Sequence, residues 1–190
     1  MKQFRLFTLA FLLIGLSLST YAGDDGGGKF GIRAGYSASN IYDGSGTMNK
    51  DILGSFYVGF FKEHRIIPML KFGSGLEYSQ LGSMENSDNK ITLHYLSIPL
   101  NIKFKIGPIY ALAGASAAFK VGEKWTIGGS KIDPLENANW FDVPVHVGLG
   151  VQILMLRIEA RYHWGKMELY DAPIDGYKTQ AFQLGLAVAF

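Results

Sequence analysis

The sequence contains no cysteine. That excludes a disulfide framework, a thiolate metal site and a lipid-modified cysteine at a processed N-terminus. It also lacks any long run of one charge. The 18 basic and 16 acidic residues are dispersed, so there is no nucleic-acid arm and no acidic tail. Past residue 22 no apolar stretch approaches the about 20 residues that a spanning helix needs. Nor does any later segment hold a helical period. If this chain enters a bilayer beyond residue 22, it must do so as strands.

What is present is glycine, 24 of the 190 residues, and an aromatic content of 14%. The length suits one domain. The first residues, Met1-Lys2-Gln3-Phe4-Arg5, are basic, Leu6 to Leu18 are mainly apolar, and Ser19-Thr20-Tyr21-Ala22 ends on small residues at the spacing of a cleavage site. This is the layout of a secretory signal peptide. The expectation is cleavage after Ala22, leaving residues 23–190 as a single exported domain. The apolar run is short for a permanent anchor.

The rest alternates with period two, the mark of a strand. In "QAFQLGLAVAF" Phe182, Leu184, Leu186, Val188 and Phe190 fall on every second position. In "LMLRIEARYHW" Leu154, Leu156, Ile158, Ala160, Tyr162 and Trp164 oppose Met155, Arg157, Glu159, Arg161 and His163. The same pattern runs through 141–151, 95–105, 70–78 and 30–37, and two less clearly faced strands fit 56–61 and 109–121. The phase changes between Val151 and Leu154, which requires a turn there although no glycine or proline marks it. Eight strands result. Their connections are expected at 42–52, 63–66, 82–89, 106–108, 122–139, 152–154 and 165–177, short at one end and longer and polar at the other. That alternation is how outer-membrane barrels are built.

A soluble sandwich also alternates, but its outer face is dense in long polar side chains. Here the second face is mostly Gly, Ala and Ser with scattered charges, which suits the crowded lumen of a small barrel. The fold expected is all-β: an eight-stranded antiparallel up-and-down transmembrane barrel, closed because an unpaired backbone group in hydrocarbon costs several kcal/mol. A soluble lipocalin-like barrel is the third possibility. It requires that the chain stay in solution without detergent. Two aromatic girdles are expected, Phe30, Phe61, Phe104 and Phe190 at the short-turn end and Tyr42, Tyr78, Trp140, Phe141, Tyr162 and Trp164 toward the long loops. Pro99 and Pro144 fall mid-strand, where proline removes a ladder donor, so a bulge or a missing bond is expected at each.

Five stretches, "FGIRAGYSASNI", "GSGLEYSQLG", "YLSIPLNIKFKIG", "YALAGASAAF" and the terminal "LGLAVAF", together resemble the small outer-membrane β-barrel family of Bacteroidetes. This is the PorT-like group, related in architecture to OmpX-type barrels. Tyr95-Leu96-Ser97-Ile98-Pro99-Leu100 is the most specific piece. The resemblance implies an outer-membrane location and eight strands. It carries over no functional site. By the same resemblance Phe190 is similar to the C-terminal signal that the barrel assembly machinery reads.

Six ionisable side chains should point inward: Arg33, Glu77, Asp142, Arg157, Glu159 and Arg161. Buried charges must be paired. The expectation is a structural plug, with a proton relay or gate as the alternative. His146 and His163 also face the lumen. An outer-membrane lipid A hydrolase or acyltransferase would need a Ser-His pair with an acid, and no Gly-x-Ser-x-Gly motif is present. No two histidines stand at metal-ligand spacing. Asp24-Asp25 alone makes a poor calcium site, and "IGGSK" does not open a helix as a phosphate loop must. No cofactor is expected.

The 122–139 loop carries Trp125, Ile127, Ile132 and Leu135, with Trp140 following. These either form a binding surface or fold over the barrel mouth. The role expected is non-enzymatic: a monomer in membrane lipid, with its loops on an extracellular target or its wall within an envelope assembly.

Overall fold

The computed structural model describes residues 28–42, 51–86, 89–128, 130–132, 139–166 and 178–190. The expected signal peptide, Asp24-Asp25, Leu135 and nearly all of the 165–177 connection lie outside the described residues. The strands are β1 (Lys29–Tyr42), β2 (Asp51–Ile67), β3 (Leu70–Asn86), β4 (Asn89–Ile106), β5 (Ile109–Ile127), β6 (Ser130–Ile132), β7 (Phe141–Asp142), β8 (Val145–Ile153), β9 (Leu156–Trp164) and β10 (Lys178–Ala189). No helix occurs among the described residues.

Sequential strands pair antiparallel from β1 to β5, β5 pairs β8, and β8, β9 and β10 follow in order. Strand β10 then pairs β1 from Gly31 opposite Ala189 to Tyr42 opposite Lys178. The wall is therefore a closed eight-stranded barrel without an open edge, as hydrocarbon demands. The two short strands lengthen its members. Strand β6 folds back on the end of β5, and β7 pairs β5 in the same register as β8.

Both prolines interrupt the ladder. Val143-Pro144 separates β7 from β8. Opposite Pro99 the pairing of β3 with β4 skips from Ser74–Leu100 to Glu77–Ser97, while the β4–β5 ladder runs on unbroken. At Pro99 the break is on the β3 side only, whereas neither Val143 nor Pro144 is paired in a ladder.

Burial follows the alternation. On β10, Ala181, Gln183, Gly185, Ala187 and Ala189 are buried, while Phe182, Leu184, Leu186 and Phe190 are exposed on the outer wall. On β2 the phase hidden by mixed small and large residues resolves. Tyr57 and Phe61 point inward, and Phe56, Val58 and Phe60 point out. This corrects the expected girdle. Phe61 is only 5% exposed and belongs to the lumen.

Three two-residue turns close one end: Pro68-Met69, Gly107-Pro108 and Leu154-Met155. The first lies beyond the expected 63–66, because His64 and Arg65 remain paired with Phe72 and Lys71 despite their polarity. At the other end the strands outrun expectation. Strands β3, β4 and β5 have 17, 18 and 19 residues, where about 9–11 suffice to cross. Residues 82–86, 89 and 122–127, expected as loop, are strand. The surplus stands above the barrel as an outer extension.

Candidate functional site: a filled lumen beneath an outer extension

The lumen is filled in layers. Nearest the short turns, Glu63 of β2 accepts two bonds from Arg157 of β9, at 2.6 and 2.9 Å, and one from Lys103 of β4 at 2.6 Å. Lys71 of β3 lies 3.8 Å from the same carboxylate. Above them, Arg161 donates to Glu77 at 2.8 Å and its Nε lies 3.3 Å from Glu159. Arg33 bridges the same two carboxylates at 3.5 and 3.4 Å. Tyr110 donates its hydroxyl to Glu159 at 2.8 Å, and Lys103 lies 3.7 Å from it, linking the layers.

Three carboxylates thus hold Arg33, Arg157, Arg161 and Lys103, with Lys71 at the margin. Removing so many charges from water is affordable only if their remaining N–H groups are also covered. Aromatic faces do this. The Phe61 ring lies between the guanidinium groups of Arg33, at 5.2 Å, and Arg157, at 4.9 Å. Tyr57 lies under Arg161 at 4.9 Å and Tyr110 under Lys103 at 4.0 Å. Each cation meets carboxylate along one edge and a ring face on another, where cation–π attraction is strongest once water is gone. This is why Phe61 faces inward.

The next layer is neutral. His146 contacts Asn101, and its ring lies 4.9 Å from that of His163. Above it, Ile41, Leu93, Tyr95 and Ala118 form an apolar cap, with Leu81 and Ile91 packed against it. Among the described residues, two small spaces lie between these layers, of about 30 and 10 Å³. Since a water needs about 10–15 Å³ on that measure, they admit a few isolated waters and no continuous file.

Asp142 is buried at the β7–β8 break. Its Oδ1 accepts the backbone N–H groups of Val143 and Lys166, at 2.7 and 3.2 Å. It secures the interrupted strand rather than joining the arginines in the two charged layers.

The outer extension places the loop residues. Beyond a bulge at His94 and Tyr95, Ile91 pairs Trp125 and Lys90 pairs Thr126, and Trp125 also pairs Ile132 of β6. Trp125 donates its indole N–H to Glu123 at 2.7 Å, and Lys120 pairs with that carboxylate at 2.6 Å. A groove of about 240 Å³ is lined by Ser83, Asn89, Lys90, Ile91, Trp125, Thr126 and Ile127. Trp140 is elsewhere. It is 68% exposed and stacks beside Phe119 and Phe141 on the outer wall. It belongs to the upper aromatic belt with Tyr162 and Trp164, whose rings lie 4.6 Å apart.

A closed barrel with an apolar outer wall, a side-chain-filled lumen and short turns at one end has one well-attested setting. The model of the outer membrane protein beta-barrel domain matches residues 8–190. The chain belongs to that family. Among solved barrels of this architecture, Neisserial surface protein A superposes with a TM-score of 0.60 at 14% identity, over 85% of this chain and 97% of that one. Ail, the attachment invasion locus protein of Yersinia pestis, superposes with a TM-score of 0.53 at 18% identity, over 86% of this chain and 99% of that one, in a structure containing the heparin analogue sucrose octasulfate. At such identities the likeness is one of fold. No curated sequence matches the chain.

Within this outer membrane protein beta-barrel, Glu63 and Lys103 are the lumen charges that sequence reasoning missed. Following the odd-numbered phase Tyr57, Gly59, Phe61 one step further would have found Glu63, had 63–66 not been read as a turn. His163, the residue an acyl-transfer site would need, is aimed at the lumen, and its Nε2 is buried without a hydrogen-bond partner. No group of three or more His, Asp or Glu placed to hold a metal occurs among the described residues.

Proposed function

We propose that this outer-membrane barrel is a non-enzymatic surface protein that binds an extracellular polyanionic saccharide on the outer extension. The observation that carries this reading is the extension itself. Strands β3, β4 and β5 continue well past the length a crossing needs and end in the groove beside Trp125. Trp125, Ile91 and Ser83 share one face of the extension, and Lys90 and Thr126, paired on its other face, bring positive charge and a hydroxyl to the edge of the groove. Lys124 is also exposed on this extension, opposite Thr92. Ail, of like fold, holds sucrose octasulfate in its solved structure, and sulfated sugars fit a lysine and hydroxyl surface. The filled lumen beneath gives the platform a rigid base. In this reading the chain is exported by a signal peptide cut after Ala22, is delivered to the assembly machinery through Phe190, works as a monomer, and sits with the PorT-like barrels of Bacteroidetes.

The test is a calorimetric titration of sucrose octasulfate into the barrel in nanodiscs. Binding is expected, with the Lys90→Glu/Lys124→Glu double variant at least tenfold weaker and Trp125→Ala weakened separately. Equal affinity in all three proteins, or no binding by the unaltered barrel, removes this function.

A further inference from the structure

The short-turn end carries a feature that neither lumen nor extension explains. Two of its turns have matching geometry. Gly107-Pro108 has a positive φ of 58° at its first residue, and Leu154-Met155 has a φ of 55° at the same place. Glycine is the usual residue there in a two-residue hairpin, because a Cβ crowds the backbone in the left-handed region. Leu154 accepts that strain while burying nothing, since it is 88% exposed. Backbone geometry alone would favour glycine, so the leucine side chain must be held outward for another reason.

Its surroundings say what covers it. Val147, Val151 and Ile153 on one side and Leu156 and Ile158 on the other are exposed members of the lipid-facing wall. The apolar wall therefore continues through the turn without a polar collar. The β2–β3 hairpin also exposes Ile66, Ile67 and Met69 at its tip, and Ile106 and Ile109 flank the third. From Leu156 to the belt tryptophan Trp164, β9 rises roughly 20 Å for a strand tilted by about 40°, and the turn carries Leu154 a few ångströms further. That approaches the roughly 25 Å height of a barrel's apolar band. With the upper belt at one boundary of the hydrocarbon, Leu154 reaches the other. Lys29, His64 and Arg65 are exposed at this end of the molecule, and Lys62 lies outward on β2, where a long stem can carry its ammonium toward phosphates.

We propose that the short turns are membrane anchors: Leu154 and Met155, with Ile67 and Met69, insert into the periplasmic phospholipid leaflet. The basic groups of the same rim meet its headgroup phosphates. The occupant is lipid because this surface is continuous with the lipid-covered wall, and the strained Leu154 backbone is tolerated to keep an apolar side chain at the boundary. The barrel is thereby held at a fixed depth, with its outer extension clear of the opposite surface.

The absence of native cysteine makes the test direct. Single Leu154→Cys and Met155→Cys variants, and a Thr126→Cys control on the extension, are labelled with an environment-sensitive fluorophore. Each is reconstituted in nanodiscs of phosphatidylethanolamine and phosphatidylglycerol. Labels at 154 and 155 are expected to be quenched by chain-brominated lipid at least twofold more than the control, and by aqueous iodide at least twofold less. The 155 variant stands alone if the 154 variant does not fold. Iodide quenching at 154 and 155 equal to that at 126 overturns the proposal. So does shielding that arises only when a periplasmic extract is added, which would assign the tips to a protein partner.

Discussion

Glu63→Gln is expected to lower the unfolding free energy of the refolded barrel by about 3–5 kcal/mol, the usual cost of removing one partner from a buried ion pair. The size follows from what Glu63 holds. It takes both terminal nitrogens of Arg157 and the ammonium of Lys103, with Lys71 at 3.8 Å. Glutamine keeps the volume but leaves these cations facing one another. Glu159, 3.7 Å from Lys103, is already shared with Arg33, Arg161 and Tyr110. Reversible denaturant unfolding in lipid vesicles measures the difference. A loss under about 1 kcal/mol, the range of exposed pairs, would mean that the layer is hydrated and the lumen is open to water.

Gly185→Val is expected to prevent formation of the closed barrel altogether. Gly35 and Gly185 face each other across the β1–β10 seam. A Cβ on Gly185 would overlap the Tyr57 hydroxyl and come within 2.6 Å of the Ala34 carbonyl oxygen. Tyr57 is 1% exposed and lies against Arg161, so the ring has nowhere to go. Overpacking a core costs about 1–3 kcal/mol when neighbours shift. Here the obstacle includes backbone of the strand that closes the wall. The readout is the mobility difference between unheated and heated samples on a gel, which should vanish for Gly185→Val. It should persist for Leu186→Val, one position along, where the side chain faces lipid. A folded band for Gly185→Val would contradict the seam geometry.

These two residues show what the sequence reveals and what it hides. The strands with large apolar residues on one face and glycine, serine or charge on the other, β1, β4, β9 and β10, were legible because period two survives in them. Arg33, Glu77, Glu159 and Arg161 could be placed inward from phase alone, and the structure brings all four together. Strand β2 was not legible. Its inward positions include Tyr57 and Phe61, aromatic residues serving as faces for arginines, so the apolar-out rule fails there. Placing Phe61 in the girdle and a turn at 63–66 ended the strand early and hid Glu63. The long loops misled in the opposite direction. The polar residues of 82–89 and 122–127 suggested coil, but above the membrane a strand needs no apolar face. Paired backbone alone sustained β3, β4 and β5 there. Trp140 and Trp125 sit close in sequence yet serve different ends, one in the belt and one at the groove. Only the register of β5 with β6 and β7 separates them.

The most direct measurement is single-channel recording of the purified barrel in a planar bilayer, because a lumen filled by paired side chains should pass no current. Among the described residues, paired charges, ring faces and the apolar cap are interrupted by small spaces of about 30 and 10 Å³. The expected record is a flat baseline after insertion, with barrel content confirmed by the heat-dependent gel shift. Stable, stepwise ohmic currents from the folded barrel would contradict it, since they require a water-filled path through the layer held by Glu63, Glu77 and Glu159.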